Sequence, residues 1–218
     1  MTCTVANIKR DIRIALDQNM SSTVLATLGD IDTLSLDDII ESKIEDAAEA
    51  VLMKAPLSFI GDVSTSISGL FTNNVRGNRI VGKQALQTGF IRLVSFKLPS
   101  WPHALHDVLP SSSPLYLQVQ SPYGVCGTSD RPLIFIVPDT SAGNKSLEIY
   151  SPANTTEEPD ISLCVTKPAI NGGSSGNIEL ASMLVRPTVY YAAYLVALTI
   201  QDKDAAERLL GVCMSLLS

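Results

Sequence analysis

Two glycine-bearing stretches of this sequence resemble motifs that carry chemistry. The first, Gly77-Asn-Arg-Ile-Val-Gly82-Lys83-Gln84, is one residue short of a phosphate-binding loop. That loop needs Ser or Thr where Gln84 stands, to ligate magnesium, and a buried strand before it. The preceding residues here are Thr72-Asn73-Asn74. The sequence therefore predicts a glycine-bearing turn at this point and no nucleotide site.

The second stretch, Gly172-Gly173-Ser174-Ser175-Gly176, matches the G-x-S-x-G pattern of a hydrolase nucleophile elbow. In that elbow the serine lies on a sharp turn between a strand and a helix, and an acid and then a histidine follow it in the chain. No histidine follows Ser174. Small residues of this kind form flexible loops. We predict a loop here, and a hydrolase that uses Ser174 is only a third functional alternative.

The two histidines, His103 and His106, are the remaining candidates for metal binding, with Asp107 as a possible third ligand. Histidines three residues apart on a helix could share a metal ion, but Pro99 and Pro102 disfavour a regular helix there. No cysteine lies nearby. We therefore expect surface or packing histidines and no metal site.

The single tryptophan, Trp101, directly follows a predicted strand. We expect it to anchor the turn, and a ligand platform is the alternative. No pair of carboxylates stands out from the general background of acidic residues. The sequence thus predicts a protein that is not an enzyme and that needs no cofactor.

Composition narrows the class of protein further. The chain has 218 residues, of which 45% are hydrophobic, and this suits one domain or one domain with an insertion. Its net charge is −6, and residues 1–56 hold 5 basic and 10 acidic groups. Without a basic stripe, tight nucleic-acid binding is not expected. We also expect no signal peptide, no membrane span and reduced, cytosolic thiols at the four scattered cysteines.

Helical spacing of apolar residues predicts two helices near the N-terminus, at about Thr4 to Asp17 and Leu36 to Ala55. Residues 19–34 are read as a connection between them. The second helix has an acidic face that includes Glu41, Glu45 and Glu49. Like charges four residues apart each cost an isolated helix about 0.2–0.5 kcal/mol. This face is either solvated, or it meets basic residues of another chain, or it lines a channel that must not hold DNA.

The C-terminal stretch, residues 187–217, predicts a helical hairpin or one long bent helix. Pro187 suits a first helical turn, and an Asp in the polar interruption at 201–204 can cap the second helix. Tyr190, Tyr191 and Tyr194 are three of the six tyrosines of the chain. One helix cannot bury all three and its aliphatic stripe against a single neighbour. We therefore expect some of this element to face the inserted domain or another subunit.

The middle of the chain changes period. Residues 57–89 are rich in Ser, Thr, Asn and Gly, and they predict a long loop that orders against a partner. From residue 90 to 170, short alternating segments separated by turn residues predict an antiparallel sheet or barrel, with one strand over Leu115–Val119. The predicted fold is α+β: residues 1–56 and 187–218 form a helical body, and residues 90–186 form an inserted β-rich domain.

This layout resembles the head-to-tail connector (adaptor or ring) proteins of tailed bacteriophages, including crAss-like and other Bacteroidales phages. Two stretches carry the similarity. One is Gly89-Phe-Ile-Arg-Leu-Val-Ser-Phe-Lys-Leu-Pro-Ser-Trp101, similar to a strand-plus-Trp segment. The other is Arg186-Pro-Thr-Val-Tyr-Tyr-Ala-Ala-Tyr-Leu-Val-Ala-Leu-Thr-Ile-Gln-Asp-Lys-Asp-Ala-Ala-Glu-Arg208, similar to the closing helices.

The resemblance implies a virion protein of the head–tail neck, made in the host cytoplasm, that forms a ring, commonly dodecameric. Its expected partners are the portal protein and other tail or ring proteins, and DNA passes through the lumen without specific binding. An acidic wall would repel DNA and let it slide. The expected subunit contacts are Tyr190, Tyr191 and Tyr194 with Glu41, Glu45 and Glu49. Segment 57–89 is then a docking arm, with Phe59, Phe71, Arg76 and Arg79 as its contact residues. The alternative function is a cytosolic ligand- or peptide-binding module with a β-domain.

Overall fold

A computed structural model describes residues 2–19, 36–76, 79–121, 127–139, 145–151, 154–172 and 176–218. Within these residues the chain forms five α-helices and ten strands, so the predicted α+β class is confirmed. The chain divides into two compact units. The helical unit comprises Met1–Val63 and Lys167–Ser218, and the β unit comprises Ser64–Thr166.

The helical unit contains four of the five helices, α1 (Val5–Asn19), α2 (Leu36–Lys54), α4 (Ser182–Thr199) and α5 (Lys203–Leu217). The remaining helix, α3 (Pro114–Gln120), belongs to the β unit. The two predicted N-terminal helices are present, although most of the predicted connection at 19–34 lies outside the described residues. Helix α4 packs against α1, α2 and α5. Small residues allow this close packing, since Ala47, Ala48, Ala192 and Ala193 are fully buried.

The start of α4 differs from the prediction. The helix begins at Ser182 and contains Pro187, which was predicted to lie in the first turn. Leu184 is fully buried, so the apolar face of the helix extends upstream of the proline. Pro187 cannot donate a main-chain hydrogen bond to residue 183, while the Thr188 hydroxyl donates to the carbonyl oxygen of Leu184 at 2.7 Å.

The predicted polar break between the two C-terminal helices is confirmed. The chain turns through Gln201, whose φ is +64°, and Asp202 caps α5. A carboxylate oxygen of Asp202 accepts the main-chain N–H of Ala205 at 3.0 Å, which satisfies a donor that the helix itself leaves unpaired. The helical unit also contains a two-stranded antiparallel ribbon of β1 (Thr2–Thr4) and β10 (Asn177–Glu179).

The β unit contains two sheets. The strands are β2 (Thr65–Ser66), β3 (Phe71–Arg76), β4 (Arg79–Ala85), β5 (Phe90–Lys97), β6 (Leu109–Pro110), β7 (Ile134–Pro138), β8 (Lys145–Ile149) and β9 (Ile161–Thr166). One sheet has the order β2-β9-β5 and the other β3-β4-β8-β7-β6. All pairs are antiparallel except β6 with β7. The predicted strand at residues 90–98 is therefore present as β5.

The prediction of an extended loop over 57–89 is wrong. This segment forms two short 3-10 helices, Leu57–Phe59 and Gly61–Val63, followed by β2, β3 and β4. The alternating pattern is weak because β3 lies at a sheet edge and exposes polar side chains. Consequently the β unit begins at Ser64 and ends at Thr166, rather than at 90 and 186.

The predicted strand over Leu115–Val119 is also wrong, because Pro114–Gln120 is a short helix, α3. Pro114 occupies the first turn, where its missing N–H costs nothing. The apparent alternation is misleading, since Leu117 is 71% exposed while Val119 is buried. Leu115 and Val119, four residues apart, are the pair that packs against the aromatic cluster around Phe135.

Candidate interaction surfaces

Helix α4 carries the three clustered tyrosines along the borders of its buried face. Val189, Ala192, Ala193 and Val196 recur at helical spacing and are buried in the core of the helical unit. Tyr190, Tyr191 and Tyr194 are each partly exposed and pack against the edge of that core. Each of the three rings therefore contacts the core of its own chain on one side and is accessible to a partner on the other.

Tyr190 lines a groove between α1 and α4. This groove has a volume of about 180 Å³, and its other walls are Asp11, Ile14, Ala15, Val185, Arg186 and Val189. Ile14 is 48% exposed, so an aliphatic side chain of considerable size lies open at this border.

Tyr191 lines a second groove, between α2 and α4, with a volume of about 380 Å³. Its other walls are Lys43, Asp46, Ala50, Leu195, Leu198 and Thr199. The rings of Tyr191 and Tyr194 meet edge to face with centroids 5.3 Å apart. The Lys54 ammonium lies 5.2 Å from the centroid of Tyr191, within cation–π range. The two grooves thus present one tyrosine on each side of α4.

The acidic face of α2 is largely paired within the chain. Glu41 forms an ion pair with Lys9 of α1. Glu45 accepts the main-chain N–H of Ile170 at 2.9 Å, and Glu49 lies 3.1 Å from the Lys167 ammonium. Hydrogen bonding to Glu49, followed by its charge, raises the pKa of Lys167. These partners offset the like-charge repulsion expected from the sequence.

The four proposed docking residues lie in different places. Phe59 ends the first 3-10 helix, in the helical unit, and is partly buried. Phe71 is on β3, where its ring lies 6.5 Å from that of Phe96 in the β core. Arg76 and Arg79 face each other across the β3–β4 hairpin. The structure therefore places Phe71, Arg76 and Arg79 on one paired hairpin of the β unit and Phe59 in the helical unit, so the four residues do not form one flexible arm.

A buried polar network that the sequence did not reveal lies near that hairpin. Glu148 of β8 is 6% exposed, and one of its carboxylate oxygens accepts the hydroxyls of Tyr150 at 2.7 Å and Tyr116 at 3.1 Å. Arg76 donates to the other carboxylate oxygen at 3.1 Å, while Arg79 donates to the carbonyl oxygen of Val119 at 2.7 Å. The network thereby ties helix α3 and the hairpin to the sheet. We name it the Glu148 network.

The Glu148 network predicts a pH dependence of stability. Burial, and then the hydrogen bond to Glu148, raises the pKa of Tyr150 above its ordinary value of 10.0, and burial and Glu148 also raise that of Tyr116. A phenol whose pKa is raised on folding contributes stability that is complete below its ordinary pKa and is lost as pH rises toward the folded value. We expect the stability of the β unit to fall more steeply above pH about 10 in the wild-type protein than in the Tyr150→Phe variant. Urea unfolding from pH 8 to 11 measures both slopes, and equal slopes would contradict the prediction.

The structure explains the first of the two motif-like stretches. Gly82 and Lys83 lie inside β4, so no phosphate-binding loop precedes a helix there, although Gly77 lies outside the described residues. A Cβ at Gly82 would lie 3.0 Å from the Phe71 ring, and the glycine thus gives this ring its space. Ser174 of the second stretch lies outside the described residues, and the loop there stays a prediction.

The histidines and the tryptophan are also placed. His103 and His106 are exposed, and His106 Nδ1 lies 2.7 Å from the carbonyl oxygen of Val94. In the described part of the chain no three His, Cys, Asp or Glu side chains form a metal-binding group. Trp101 is 2% exposed and belongs to the β core, as the anchoring interpretation predicted.

Two further findings bear on the class of protein. Among the described residues, no helix is both long enough and apolar enough to cross a membrane. No protein-family model matches the sequence, and no curated protein matches it either.

Proposed function

We propose that this chain is a structural virion protein of a tailed bacteriophage, which forms an oligomeric ring between portal and tail and lets DNA pass through its lumen. The observation that carries the proposal is the set of partly exposed tyrosines on α4, with an open groove on each side of the helix. A ring needs two different contact surfaces on each subunit, because each copy meets one neighbour on either side. Tyrosine is among the residues that most often dominate protein–protein contacts.

Charge supports the same proposal. The chain carries a net charge of −6, which favours sliding over binding of DNA. Asp37 and Asp46, on the acidic face of α2, are in ion pairs at 2.6 and 3.8 Å with Arg13 and Lys167. These ion pairs join the acidic face of α2 to basic residues of the same chain. The chain as a whole remains acidic. Because Glu41, Glu45 and Glu49 have partners within the chain, we propose the tyrosine-lined grooves as the main subunit contact and these glutamates as secondary contact residues.

The ring contact can be tested by substitution of the tyrosine in the larger groove. We expect Tyr191→Ala to weaken ring formation about tenfold or more, since central aromatic contacts often contribute 2 kcal/mol or more to binding. Mass photometry and negative-stain electron microscopy of the protein, with and without purified portal rings, provide the measurement. Leu117→Ala, at an exposed apolar residue of the β unit, is the matched control and should assemble as the wild type does.

Two outcomes would contradict the proposal. Monomers at all concentrations, even with portal present, would exclude the ring and favour the alternative of a ligand- or peptide-binding module. Rings that form equally well with Tyr191→Ala and with Tyr190→Ala would leave the ring intact but remove the contact from the α4 grooves.

A further inference from the structure

The outer edge of strand β3 is an open backbone template. The five-stranded sheet ends in β3 on one side and in β6 on the other. Strand β3 runs over six residues in unbroken register with β4. We call the side of β3 that faces away from β4 the β3 edge.

The hairpin register shows which main-chain groups point outward. Arg76 and Arg79 close the hairpin, and the Ala85 N–H donates to the Leu70 carbonyl oxygen at 3.0 Å. Hydrogen-bonded pairs alternate along an antiparallel ladder, so the even-numbered residues of β3 bond to β4. The N–H and C=O groups of Phe71, Asn73 and Val75 therefore face outward. These outward N–H and C=O groups form no hydrogen bond with any other described residue.

The other edges of the two sheets in the β unit have protective features that β3 lacks. β6 and β2 have two residues each, and β6 ends in Pro110. β5 has irregular register with β9, and Leu105 bridges its far side at Phe96. Short length, proline and bulges are the usual protections of exposed edges.

The β3 edge instead carries exposed apolar side chains. Val75 of β3 is 65% exposed, and Leu70, just before the strand, is 75% exposed. The strand contains no proline, lysine or bulge, and its one charged residue, Arg76, closes the hairpin and pairs with Glu148. A regular edge with these properties is a site of strand addition.

We propose that the β3 edge pairs with the β3 edge of a second copy of this chain, antiparallel and centred on Asn73. This register places the exposed Val75 of each copy opposite Phe71 of the other, whose partly buried ring packs on Phe96 of its own core. Val75 would thus extend an existing apolar cluster across the contact. Three facing pairs of residues exchange about six main-chain hydrogen bonds. Each Arg76 then lies opposite Leu70 of the other copy, so that the two Arg76 side chains are about 20 Å apart, beyond the screening length at physiological salt. The second copy fits because the strand is complementary to itself.

This contact is independent of the proposed ring. A two-fold contact uses the same patch on both partners, whereas a ring is closed by two different patches. The β3 contact would therefore pair two protomers or two rings, and it involves the β unit rather than the α4 grooves.

Val75→Pro tests the pairing most directly. The Val75 N–H faces outward, so proline removes a donor from the β3 edge without removing a bond to β4. Sedimentation equilibrium of the full chain should show self-association that Val75→Pro weakens about tenfold or more. Val75→Thr, which keeps the N–H and a β-branched side chain, should retain the wild-type affinity. Made in the Tyr191→Ala background, in which ring formation is already weakened, Val75→Pro should reduce the remaining self-association by the same factor as in the wild type, which separates the β3 contact from the ring.

Residue-resolved amide exchange of the wild-type protein provides a second measurement that needs no variant. The Asn73 and Val75 amides should exchange rapidly in dilute protein and become protected as concentration rises. Those of Thr72 and Asn74 should be protected throughout, since they bond to β4. Exchange at Asn73 and Val75 that does not depend on concentration would overturn the proposal. Protection that appears only on addition of portal protein would overturn it as well, because another protein would then cover the edge.

Discussion

Replacement of Trp101 by alanine should lower the free energy of unfolding of the β unit by about 3–5 kcal/mol. The side chain is 2% exposed, and its ring lies 5.8 Å from that of Phe96, with an interplanar angle of 57°. Its indole N–H donates to the carbonyl oxygen of Ser151 at 3.1 Å. Alanine would remove the packing and leave both a cavity and an acceptor without this donor, and these effects add.

Trp101→Phe separates the two contributions. Phenylalanine keeps an aromatic ring beside Phe96 but cannot donate to Ser151, so we expect a loss of about 1–2 kcal/mol. Trp101 is the only tryptophan, and its fluorescence reports on the β unit of the wild type. The variants lack this signal, so urea unfolding should be followed for all proteins by circular dichroism and by amide exchange of β5 and β9.

An exposed apolar residue of the same unit provides the control. Leu117→Ala should change stability by no more than about 0.5 kcal/mol, because Leu117 is 71% exposed. If Trp101→Ala cost no more than this control, Trp101 would not be an anchor of the core. A ligand-facing role would then regain support.

Sequence patterns predicted best where a segment has one strongly apolar face. Helices α1 and α2 were predicted close to their observed bounds because their apolar residues repeat with the helical period and are buried. The sequence also indicated that the tyrosines of α4 are partly exposed, because three large rings cannot all be buried on the narrow apolar face of one helix. Local composition therefore pointed to the surface on which the proposed function depends.

Prediction failed where burial depends on strand neighbours. β3 has polar residues on both faces and no apolar alternation, so its strand character follows from pairing with β4. α3 showed the opposite error, since a seven-residue helix with apolar residues at 115, 117 and 119 can resemble a strand, although only Val119 is buried and Leu115 is partly buried. Pro187 was placed at a helix start because proline is commonest there, but tertiary packing of Leu184 extended the helix.

The Glu148 network was missed for a related reason. Arg76, Tyr116 and Glu148 are far apart in sequence, and only the sheet register and the position of α3 bring them together. The one local signal was a glutamate between Leu147 and Ile149, two apolar residues of a strand that is buried on both faces. A charged residue in such a strand needs partners, and their identity cannot be read from the neighbouring residues.

Glu148→Ala should destabilise the β unit by about 3 kcal/mol. Hydrogen bonds to charged groups contribute about 1.5–3 kcal/mol each, and alanine leaves the hydroxyls of Tyr116 and Tyr150 without this acceptor. Loss of the Arg76 ion pair adds little, because the Arg76 side chain is 56% exposed and regains water. Glu148→Gln keeps one acceptor oxygen and the side-chain volume, so its cost should be about 1–2 kcal/mol.

A double-mutant cycle measures the coupling itself. Glu148→Ala and Tyr150→Phe, made singly and together, should show an interaction energy of about 1–2 kcal/mol, since the two groups share a hydrogen bond of 2.7 Å. Glu158→Ala, at an exposed glutamate of the same unit, is the control and should lie within about 0.5 kcal/mol of the wild type. Equal effects of Glu148→Ala and Glu158→Ala would show that the network contributes nothing to stability.

The triple variant Glu148→Met, Tyr116→Phe, Tyr150→Phe distinguishes a network that stabilises the fold from one that is only costly to break. All three polar groups are removed together, so no buried donor loses its acceptor, and Arg76 can turn toward solvent. Replacement of a buried polar group and its partners by apolar groups of similar volume is often nearly neutral. We therefore expect the triple variant to be more stable than Glu148→Ala by about 2 kcal/mol. A triple variant as unstable as Glu148→Ala would mean that the charge itself, through Arg76 and the hairpin, holds the sheet together.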